Sequence, residues 1–423
     1  MRRDPRPRIL MLSTHGYVAA EPELGLPDTG GQVVFVLELA RKFAEMGHTV
    51  DVVTRRFEDQ PPFDDMGPHL RVWRIPFGGD EFIRKEDMHD HLDGFVTRFL
   101  AEVEEHEITY EVINSHYWDA GWVGQRIAEE LGVAHVHTPH SLGWWKQQGM
   151  RGDPQRIESD YRFKERIRKE FLVYRRSDRV IATTPQQVEI LTEHYEVPER
   201  HLATIPPGID EGRYTPVTGS EQRALRDRLG FAEHDVYTVG RAAANKGYDL
   251  LIEALPELRE QVPDARLQLA VGANSDEDER RVEKWQALAR QLGVAEHVTW
   301  LGYVEDHEMA DHYRAAPVFA LPSRYEPFGM TAVEAMACGT PVVATVHGGL
   351  EEMFDFGAQA LYADPKRPRE LAVMLSMPLR YERLRERLAV DGARFARRRF
   401  GWRRIARRTL DVFEESQRTF PDA

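Results

Sequence analysis

Short runs of apolar residues alternate with longer stretches of helical periodicity along the whole chain. In the first half of the chain this pattern predicts strands at 8–14, 49–54, 70–76, 110–116, 134–140, 180–184 and 203–206. In the second half it predicts strands at 236–240, 266–271, 298–301, 318–322 and 341–345. Amphipathic helical segments between buried strands are typical of parallel βα units that carry helices on both faces of a sheet. The pattern therefore predicts an α/β fold of the doubly wound, Rossmann-like type.

The alternation is interrupted once, near the middle of the chain. The break contains Ile205-Pro206-Pro207-Gly208-Ile209-Asp210, and Gly212, Pro216 and Gly219 follow it. Proline and glycine at this density end regular elements. We therefore predict an N-terminal domain over 1–210 and a C-terminal domain over 211–423, which face each other across a cleft. We also expect the last helix, at about 401–419, to pack back onto the N-terminal domain.

Composition narrows the class of protein. The chain of 423 residues has 56 Lys and Arg against 70 Asp and Glu, a net charge of −14, and one cysteine. An acidic balance argues against general nucleic-acid binding, and one cysteine excludes a disulfide framework and a cysteine-rich zinc module. The apolar run Ile9-Leu10-Met11-Leu12 is too short for a signal sequence, and no later run approaches about 18 apolar residues. We expect a cytoplasmic protein.

The segment 380–408 has an unusual charge, with twelve arginines against Glu382, Glu386 and Asp391. One interpretation is a helix that binds a membrane surface or an acidic partner. The other is a solvated helical face whose apolar residues pack onto the domains. We favour the second interpretation and expect no stable membrane association.

The loop after the first predicted strand contains Asp28-Thr29-Gly30-Gly31-Gln32 and leads into a helix. Neither of the glycine-rich nucleotide patterns, G-x-G-x-x-G or G-x-x-x-x-G-K-[ST], occurs in the chain. Two glycines at the start of a helix nevertheless let backbone N–H groups approach a ligand, and the helix dipole favours a phosphate there. The alternative is a tight turn in which Asp28 or Thr29 caps the helix.

Two loops of the second predicted domain carry charged residues at strand ends. Arg241 ends one strand and Lys246 precedes the next helix, so they can hold a diphosphate or can be ordinary surface charges. The segment 323–341 places Glu326 in a loop and Glu334 in a helix that begins near Phe328. A carboxylate among small apolar residues is costly unless hydroxyl groups donate to it, and ribose or sugar hydroxyls can do so. The alternative for either glutamate is a cap or a salt bridge.

Candidate metal ligands are few. His135 and His137 share one face of a strand and His140 follows them, but no third ligand with metal spacing lies nearby, so we interpret the first two as core residues. The acidic run 276–278 opens a helix, where carboxylates complement the dipole. Cys338 lies among small apolar residues, which favours packing over nucleophilic catalysis. We therefore expect no metal and no other cofactor.

With Glu326 and Glu334 eight residues apart, Arg241 and Lys246 before them, and Gly30-Gly31 in the first domain, the chain resembles the retaining GT-B glycosyltransferases. The sucrose-phosphate synthase branch of that superfamily is indicated by three further segments, which are 28–32, His140-Ser141-Leu142-Gly143 with Lys146, and 162–166. Members of this branch transfer a sugar from a nucleotide donor to fructose 6-phosphate. The segments 138–146 and 240–251 are similar to those of members that use GDP-mannose.

The resemblance also implies roles for individual residues. The donor diphosphate is assigned to Arg241 and Lys246, the ribose to Glu334, and the transferred sugar to Glu326 and His140. The backbone of Phe328, Gly329, Met330 and Thr331 is expected to face that sugar and the diphosphate. On the acceptor side the resemblance implies Gly30, Gly31, Gln32, Ser141, Lys146 and Arg166, with Gly31 also near the donor and with Lys146 and Arg166 on the acceptor phosphate.

Other functions remain open at this stage. A sucrose-phosphate synthase that uses UDP- or ADP-glucose is the nearest alternative in the same class. A non-catalytic sensor of nucleotide sugars belongs to another class, but such a protein has no evident need for the second phosphate site that Lys146 and the basic helix suggest. A transferase that acts on lipid at a membrane surface rests only on the segment 380–408.

Overall fold

The protein is described by a computed structural model that covers residues 8–23, 26–150, 153–273, 275–324, 326, 328–346, 351 and 353–419. It divides into two compact units, and the first of them is discontinuous in sequence. Unit 1 comprises Met1–Pro207 with Trp402–Ala423, and unit 2 comprises Gly208–Gly401. The division falls within the proline- and glycine-containing segment where the sequence pattern breaks.

Unit 1 contains one eight-stranded sheet. Its strands are β1 (Arg8–Leu12), β2 (Thr49–Arg56), β3 (Phe63–Asp65), β4 (Leu70–Pro76), β5 (Val112–His116), β6 (Ala134–Thr138), β7 (Arg179–Ala182) and β8 (Leu202–Thr204). The spatial order is β3-β4-β2-β1-β5-β6-β7-β8, and all pairs are parallel except the edge pair of β3 and β4. A parallel sheet covered on both faces needs strands that are apolar throughout. Accordingly, Ile9 to Leu12 in β1 are each at most 1% exposed.

Helices connect these strands and cover both faces of the sheet. They are α1 (Gly31–Glu45), α2 (Leu92–Glu105), α3 (Trp118–Leu131), α4 (Gly143–Gly149), α5 (Pro154–Tyr161), α6 (Phe163–Arg176) and α7 (Pro185–Tyr195). The helix α1 illustrates why they form, because its buried residues Val33, Val36, Leu37, Ala40 and Phe43 recur at helical spacing along one face.

Unit 2 repeats this architecture with a six-stranded parallel sheet of order β11-β10-β9-β12-β13-β14. Its strands are β9 (Asp235–Arg241), β10 (Arg266–Gly272), β11 (Val298–Trp300), β12 (Val318–Leu321), β13 (Val342–Thr345) and β14 (Ala360–Ala363). Its helices are α8 (Gly219–Leu229), α9 (Tyr248–Gln261), α10 (Asp276–Gln291), α11 (Met309–Ala315), α12 (Met330–Ala337), α13 (Pro368–Arg380) and α14 (Glu382–Phe400). The predicted α/β class with two Rossmann-like domains is confirmed.

The final helix, α15 (Trp402–Thr419), follows unit 2 in sequence but belongs to the core of unit 1. Trp402 packs against Phe35 of α1 with ring centroids 5.3 Å apart, and Phe413 packs against Phe43 at 5.5 Å. Ile405 and Ala406 are fully buried in the same cluster. The apolar face of α15 therefore completes a core whose other members precede it in the chain by several hundred residues.

The sequence pattern did not predict two of the strands, β3 and β14. The edge strand β3 has three residues, two of them exposed, and β14 (Ala360–Ala363) contains two alanines and no β-branched residue, so neither has a pattern that indicates a strand.

The arginine-rich segment 380–408 forms a solvated helical face whose apolar residues pack onto the domains, as the second interpretation predicted. Leu388, Phe400 and Ile405 are buried, whereas Arg383 and Arg403 are exposed. Among the described residues, no helix is both long enough and apolar enough to cross a lipid bilayer.

Candidate functional site

In unit 1, the predicted residues Gly30, Gly31 and Gln32 lie at the start of α1, the helix that follows β1. Gly30 precedes the first residue of α1, Gly31, and no atom lies within 4 Å of the position where a Cβ on either glycine would stand. The N–H groups of Gly31 and Gln32 belong to the first helical turn and so have no partner within the helix. Gln32 Nε2 donates to Ser13 Oγ at 3.3 Å and to the carbonyl of His116 at 3.4 Å. The start of α1 is therefore open to an anionic or hydroxyl-bearing ligand.

The alternative in which Asp28 or Thr29 caps α1 is wrong. The residue at the cap position is Gly30, and no side chain caps the helix. Thr29 Oγ1 instead accepts from the N–H of Tyr17 at 2.9 Å. Asp28 accepts from both the N–H and the Nζ of Lys85, with 3.0 Å for the N–H bond. Asp28 therefore binds Lys85 and does not cap α1.

His140 lies two residues beyond the end of β6 and forms a pair with a second histidine. Its backbone is left-handed, with φ at 58°, and its Nε2 lies 2.9 Å from Nδ1 of His116, the last residue of β5. Burial, together with the neighbouring His15, lowers the pKa of His140 to about 3. Burial and the neighbouring His140 also hold the pKa of His116 well below its usual range. The two rings are therefore neutral at physiological pH.

Lys146 lies in a cluster of charged groups that sequence reasoning found only in part. Its Nζ is 3.9 Å from Glu86 Oε1 and 4.7 Å from the ring centroid of Tyr161, and Lys85 Nζ is 3.3 Å from the same Glu86 oxygen. Burial together with the charges of Arg166 and Lys85 lowers the pKa of Lys146 to about 8. Cations held this close repel one another, so an anion between them is stabilised. No pattern in the sequence singled out Lys85, because it lies in an irregular loop.

Arg166 is buried and forms hydrogen bonds within the protein. Its side chain is 4% exposed, and its Nε donates to Glu170 at 2.7 Å. Its Nη1 donates to the Tyr117 hydroxyl at 3.0 Å, and its Nη2 donates to the Ser141 carbonyl at 2.9 Å and the Ser141 Oγ at 3.4 Å. Each of the three nitrogens thus donates within the protein, and Arg166 holds the loop of Ser141 in place. A contact between Arg166 and the acceptor phosphate stays a prediction.

A further buried cluster lies at the end of β1, and sequence reasoning missed it. His15 Nδ1 is 2.9 Å from Asp119, and Thr14 donates to the same carboxylate at 2.5 Å. Burial raises the pKa of Asp119, but His15 and the Thr14 hydrogen bond outweigh this effect and lower it. Gly16 follows with φ at 78°, and a Cβ there would lie 2.4 Å from the Asp28 carbonyl oxygen. This close contact lets the loops of Gly16 and Asp28 pack together.

In unit 2, the charged residues converge because their strands are neighbours. The parallel strands β9 and β12 pair directly. Arg241 is the last residue of β9 and Lys246 follows that strand, as Glu326 follows β12. Lys246 Nζ donates to Glu326 Oε2 at 2.7 Å, and Ser323 Oγ donates to the same oxygen at 3.3 Å. Arg241 is exposed, and no ion pair within 4 Å engages it among the described residues. Among the residues that the structure describes, the arrangement therefore offers one unpaired cation, Arg241, and one cation paired with Glu326 at a single sheet edge.

Gly247 explains how Lys246 comes so close to the loop after β12. Its φ is 71°, and a Cβ on it would lie 1.9 Å from the carbonyl oxygen of Pro322. Any other residue at this position would push the turn of Lys246 away from β12 and separate Lys246 from Glu326. The backbone contact with Pro322 therefore requires a glycine at position 247, next to the charged Lys246.

The helix α12 begins at Met330, slightly later than predicted, so Glu334 lies one turn into it. Its cap is Gly329, with φ at 92°, and Phe328 before it is buried against Phe400. The N–H groups of Met330 and Thr331 belong to the first turn and have no partner within the helix. Tyr325 and Pro327 of the same sequence motif lie outside the described residues. The start of α12 therefore favours a negatively charged ligand.

Glu334 has the chemical environment of a hydroxyl-binding carboxylate. Burial raises its pKa to about 7, although the hydrogen bond from Tyr313 and the charge of Arg213 act in the opposite direction. The Tyr313 hydroxyl donates to Oε2 at 2.9 Å. Arg213, 2.6 Å from Asp306, was missed by sequence reasoning. With one oxygen held by Tyr313, Glu334 can accept hydrogen bonds from a ligand with the other.

The histidines that suggested a metal have other partners. His135 Nε2 and His137 Nδ1 lie 2.6 and 2.8 Å from Ser115 Oγ, and both rings are buried. Within the described ranges, no three His, Cys, Asp or Glu side chains are grouped so that they could hold a metal ion. Burial raises the pKa of the Cys338 thiol to about 12, so this thiol is not a nucleophile at neutral pH.

Comparisons with known proteins find glycosyltransferases along nearly the whole chain. Residues 29–213 match the family described as Glycosyltransferase Family 4, and residues 222–394 match Glycosyl transferases group 1. The chain is 49% identical to mannosylfructose-phosphate synthase of Agrobacterium fabrum, over 96% of this chain and 91% of that protein. It is 37% identical to D-inositol 3-phosphate glycosyltransferase of Xylanimonas cellulosilytica, over 98% of each chain. The solved structure of sucrose-phosphate synthase from Thermosynechococcus elongatus matches with a TM-score of 0.83 and 28% identity, over 97% of this chain and 99% of that chain.

Proposed function

Because the chain belongs to the GT-B glycosyltransferases of the sucrose-phosphate synthase-like branch, we propose that it transfers a hexose from a nucleotide sugar to fructose 6-phosphate with retention of configuration. The favoured donor is GDP-mannose, so that the product is a phosphorylated mannosyl-fructose. Membership of this family is supported by 49% identity over 96% of the chain and by both family matches. The substrates are proposed from the site and from the names of the relatives.

The observation that carries the acceptor assignment is the cation cluster of unit 1. Lys85 and Lys146 share the carboxylate of Glu86, and the pKa of Lys146 is lowered to about 8 by burial and by its cationic neighbours. A partly buried cation of this kind gains a strong partner when a phosphate arrives. The open glycines at the start of α1 leave room for the sugar hydroxyls beside it. A phosphorylated acceptor therefore suits this cluster better than a neutral sugar.

The donor is assigned to the cluster of unit 2. Arg241 and Lys246 provide positive charge for a diphosphate, the start of α12 provides N–H groups, and Glu334 provides an acceptor for ribose hydroxyls. Glu326, held by Lys246 and Ser323, is the candidate for hydroxyls of the transferred sugar. These five groups supply charge and hydrogen bonds of the kind that a nucleotide sugar requires.

The proposed chemistry needs no protein nucleophile. The bond between the anomeric carbon and the diphosphate oxygen breaks, and a hydroxyl oxygen of the acceptor bonds to that carbon on the same face. The acceptor proton passes to the departing phosphate oxygen. Arg241 and Lys246 lower the barrier because they neutralise charge that develops on the diphosphate, while binding holds the two substrates in reactive positions.

The donor preference rests on a comparison of relatives. The 49% identical protein is named a mannosylfructose-phosphate synthase, whereas the sucrose-phosphate synthase structure is 28% identical. A donor of UDP- or ADP-glucose is the alternative within the class. The sensor interpretation is set aside, because the relatives are named as transferases and synthases and the chain keeps a charged cluster in each unit.

We expect Lys146→Met to raise the KM for fructose 6-phosphate by about ten- to hundredfold, because a charge-assisted bond to phosphate contributes about 1.5–3 kcal/mol. In the wild type, kcat/KM for this acceptor should fall as the pH rises above about 8, where Lys146 loses its proton. The variant should lack this alkaline limb. The measurement is release of the nucleotide from GDP-mannose across a pH series.

The control is Lys164→Met, which removes an exposed lysine from α6 and should leave KM unchanged. A panel with fructose, fructose 6-phosphate and inositol 3-phosphate, each tested with GDP-mannose, UDP-glucose and ADP-glucose, separates the substrate alternatives. Equal use of fructose and fructose 6-phosphate contradicts the acceptor assignment. Preference for inositol 3-phosphate supports the assignment of Lys85 and Lys146 to the acceptor phosphate but contradicts fructose 6-phosphate as the acceptor.

We expect the activity to survive chelation of divalent metal ions, since Arg241 and Lys246 can supply the positive charge at the diphosphate. The rate with excess chelator should stay within about twofold of the untreated rate, because charge stabilisation by fixed cations needs no metal. A reversible loss of more than about tenfold, restored by added Mg²⁺ or Mn²⁺, shows that a metal carries part of this stabilisation. Heat-stability measurements with and without chelator control for a structural effect.

A further inference from the structure

The pair of His116 and His140 contains a polar atom that no group satisfies. Nδ1 of His116 is 2.9 Å from Nε2 of His140, and Nε2 of His116 is buried without a hydrogen-bond partner among the described residues. Phe35 closes one side of the pair, with its ring centroid 5.8 Å from that of His116 and 4.8 Å from that of His140. His116 itself is fully buried. Its free nitrogen therefore has access to neither a protein group nor solvent.

Two neutral imidazoles can share this hydrogen bond in two ways. In the first, His116 donates its Nδ1 proton, its orphaned Nε2 is a bare lone pair, and His140 carries its own proton on Nδ1. In the second, His140 donates from Nε2, and His116 must then bury an Nε2–H group that has no acceptor. Buried N–H groups without acceptors are rarer in proteins than buried acceptors without donors. The orphaned atom therefore favours the first arrangement.

We propose that His116 is a positioning residue, which donates its Nδ1 proton to His140 and thereby fixes His140 in the tautomer that carries a proton on Nδ1. The only hydrogen bond from the His140 ring to another described residue is the one at Nε2, and the residue is partly exposed. The Nδ1–H group of His140 is thus available to an oxygen atom of a ligand. The lowered pKa values of both rings agree with a pair that carries one proton per imidazole.

The consequence for catalysis rests on the proposed function. An Nδ1–H group on His140 donates to a hydroxyl or phosphate oxygen of the nucleotide sugar, whereas the opposite tautomer presents a lone pair and repels a phosphate oxygen. His116 has no contact with substrate in this scheme. His116 acts by fixing the tautomer of His140, and so determines whether Nδ1 of His140 donates or accepts a hydrogen bond.

The direct test is nitrogen-15 NMR of the free enzyme with labelled histidine. The His140 signals are assigned by their loss in His140→Gln. We expect a protonated Nδ1 and an unprotonated Nε2 in His140, and the same pattern in His116. A protonated Nε2 in His140 overturns the proposal. Because this readout needs no substrate and no activity, it remains decisive even if the proposed transfer reaction is not observed.

The second test compares His116→Asn with His116→Leu. The Asn amide can still donate near the position of Nδ1, whereas Leu cannot. We expect the Leu variant to lose about three- to tenfold in kcat, the range for one hydrogen bond, with little change in acceptor KM, and the Asn variant to recover most of the loss. In the Leu variant the two His140 tautomers should both be populated. A Leu variant that folds, keeps the Nδ1–H tautomer and keeps wild-type kcat overturns the positioning role.

Discussion

Replacing Arg166 by Ala is expected to lower the free energy of unfolding by about 3–5 kcal/mol, because it leaves a buried carboxylate without its cation. Glu170 is 0% exposed and accepts from Arg166 at 2.7 Å. Its other partners are the N–H of Gly143, at 2.9 Å, and the Tyr195 hydroxyl. These neutral donors satisfy the oxygens but cannot balance the charge. Chemical denaturation, followed by circular dichroism, measures the loss.

Arg168→Ala is the matched control, since it removes an exposed arginine from the same helix and should change stability by less than about 0.5 kcal/mol. The double variant Arg166→Ala/Glu170→Gln should be more stable than Arg166→Ala alone, because it removes the unbalanced charge. If Arg166→Ala is as stable as the wild type and raises the KM for fructose 6-phosphate tenfold, then Arg166 is a phosphate ligand after all.

Replacing Glu334 by Ala is expected to weaken donor binding by about ten- to hundredfold, while the affinity for the acceptor stays nearly unchanged. The carboxylate has one oxygen held by Tyr313 and the other available to ribose hydroxyls. Loss of hydrogen bonds to a charged acceptor costs about 1.5–3 kcal/mol. Isothermal titration with GDP-mannose gives the donor affinity directly. Wild-type affinity in the variant removes Glu334 from the donor site, and failure of the variant to fold supports a structural role.

The pH dependence of donor binding provides a second readout for Glu334. Burial raises its pKa to about 7, so its charge is lost as the pH falls through that value. Hydroxyl donors favour the charged form, so donor affinity should decrease below about pH 7 and reach a plateau above it. Glu334→Gln keeps the shape of the side chain but cannot titrate. Its donor affinity should therefore be weaker and independent of pH over this range.

Much of the fold could be predicted because its strands are buried on both faces. Continuous apolar runs such as 9–12 and 318–321 indicate strands without any knowledge of their neighbours. The strands β3 and β14 could not be predicted in this way, since β3 is an exposed antiparallel edge and β14 contains no β-branched residue. Their pairing depends on the strands beside them rather than on their own pattern.

The site could be predicted where a motif lies at a strand end, and not where it depends on contacts between distant loops. The resemblance assigned Lys246 and Glu326 to different parts of one donor molecule, and the structure places their side chains 2.7 Å apart. Lys85 and Arg213 lie in irregular segments, and only the fold brings them to Glu86 and Asp306. Arg166 lies in a motif, but the motif gave no information about the face of α6 that Arg166 occupies.

The membership of α15 in unit 1 bears on how the protein is synthesised. Trp402 packs on Phe35, and Phe35 in turn contacts His140 with ring centroids 4.8 Å apart. During translation, unit 2 can fold as soon as Gly401 has left the ribosome, but unit 1 must wait for residues that follow unit 2 in the chain. The ring that supports His140 therefore gains its packing partner only after all of unit 2 has been synthesised. A nascent chain arrested before Trp402 can complete unit 2 while unit 1 remains unfinished.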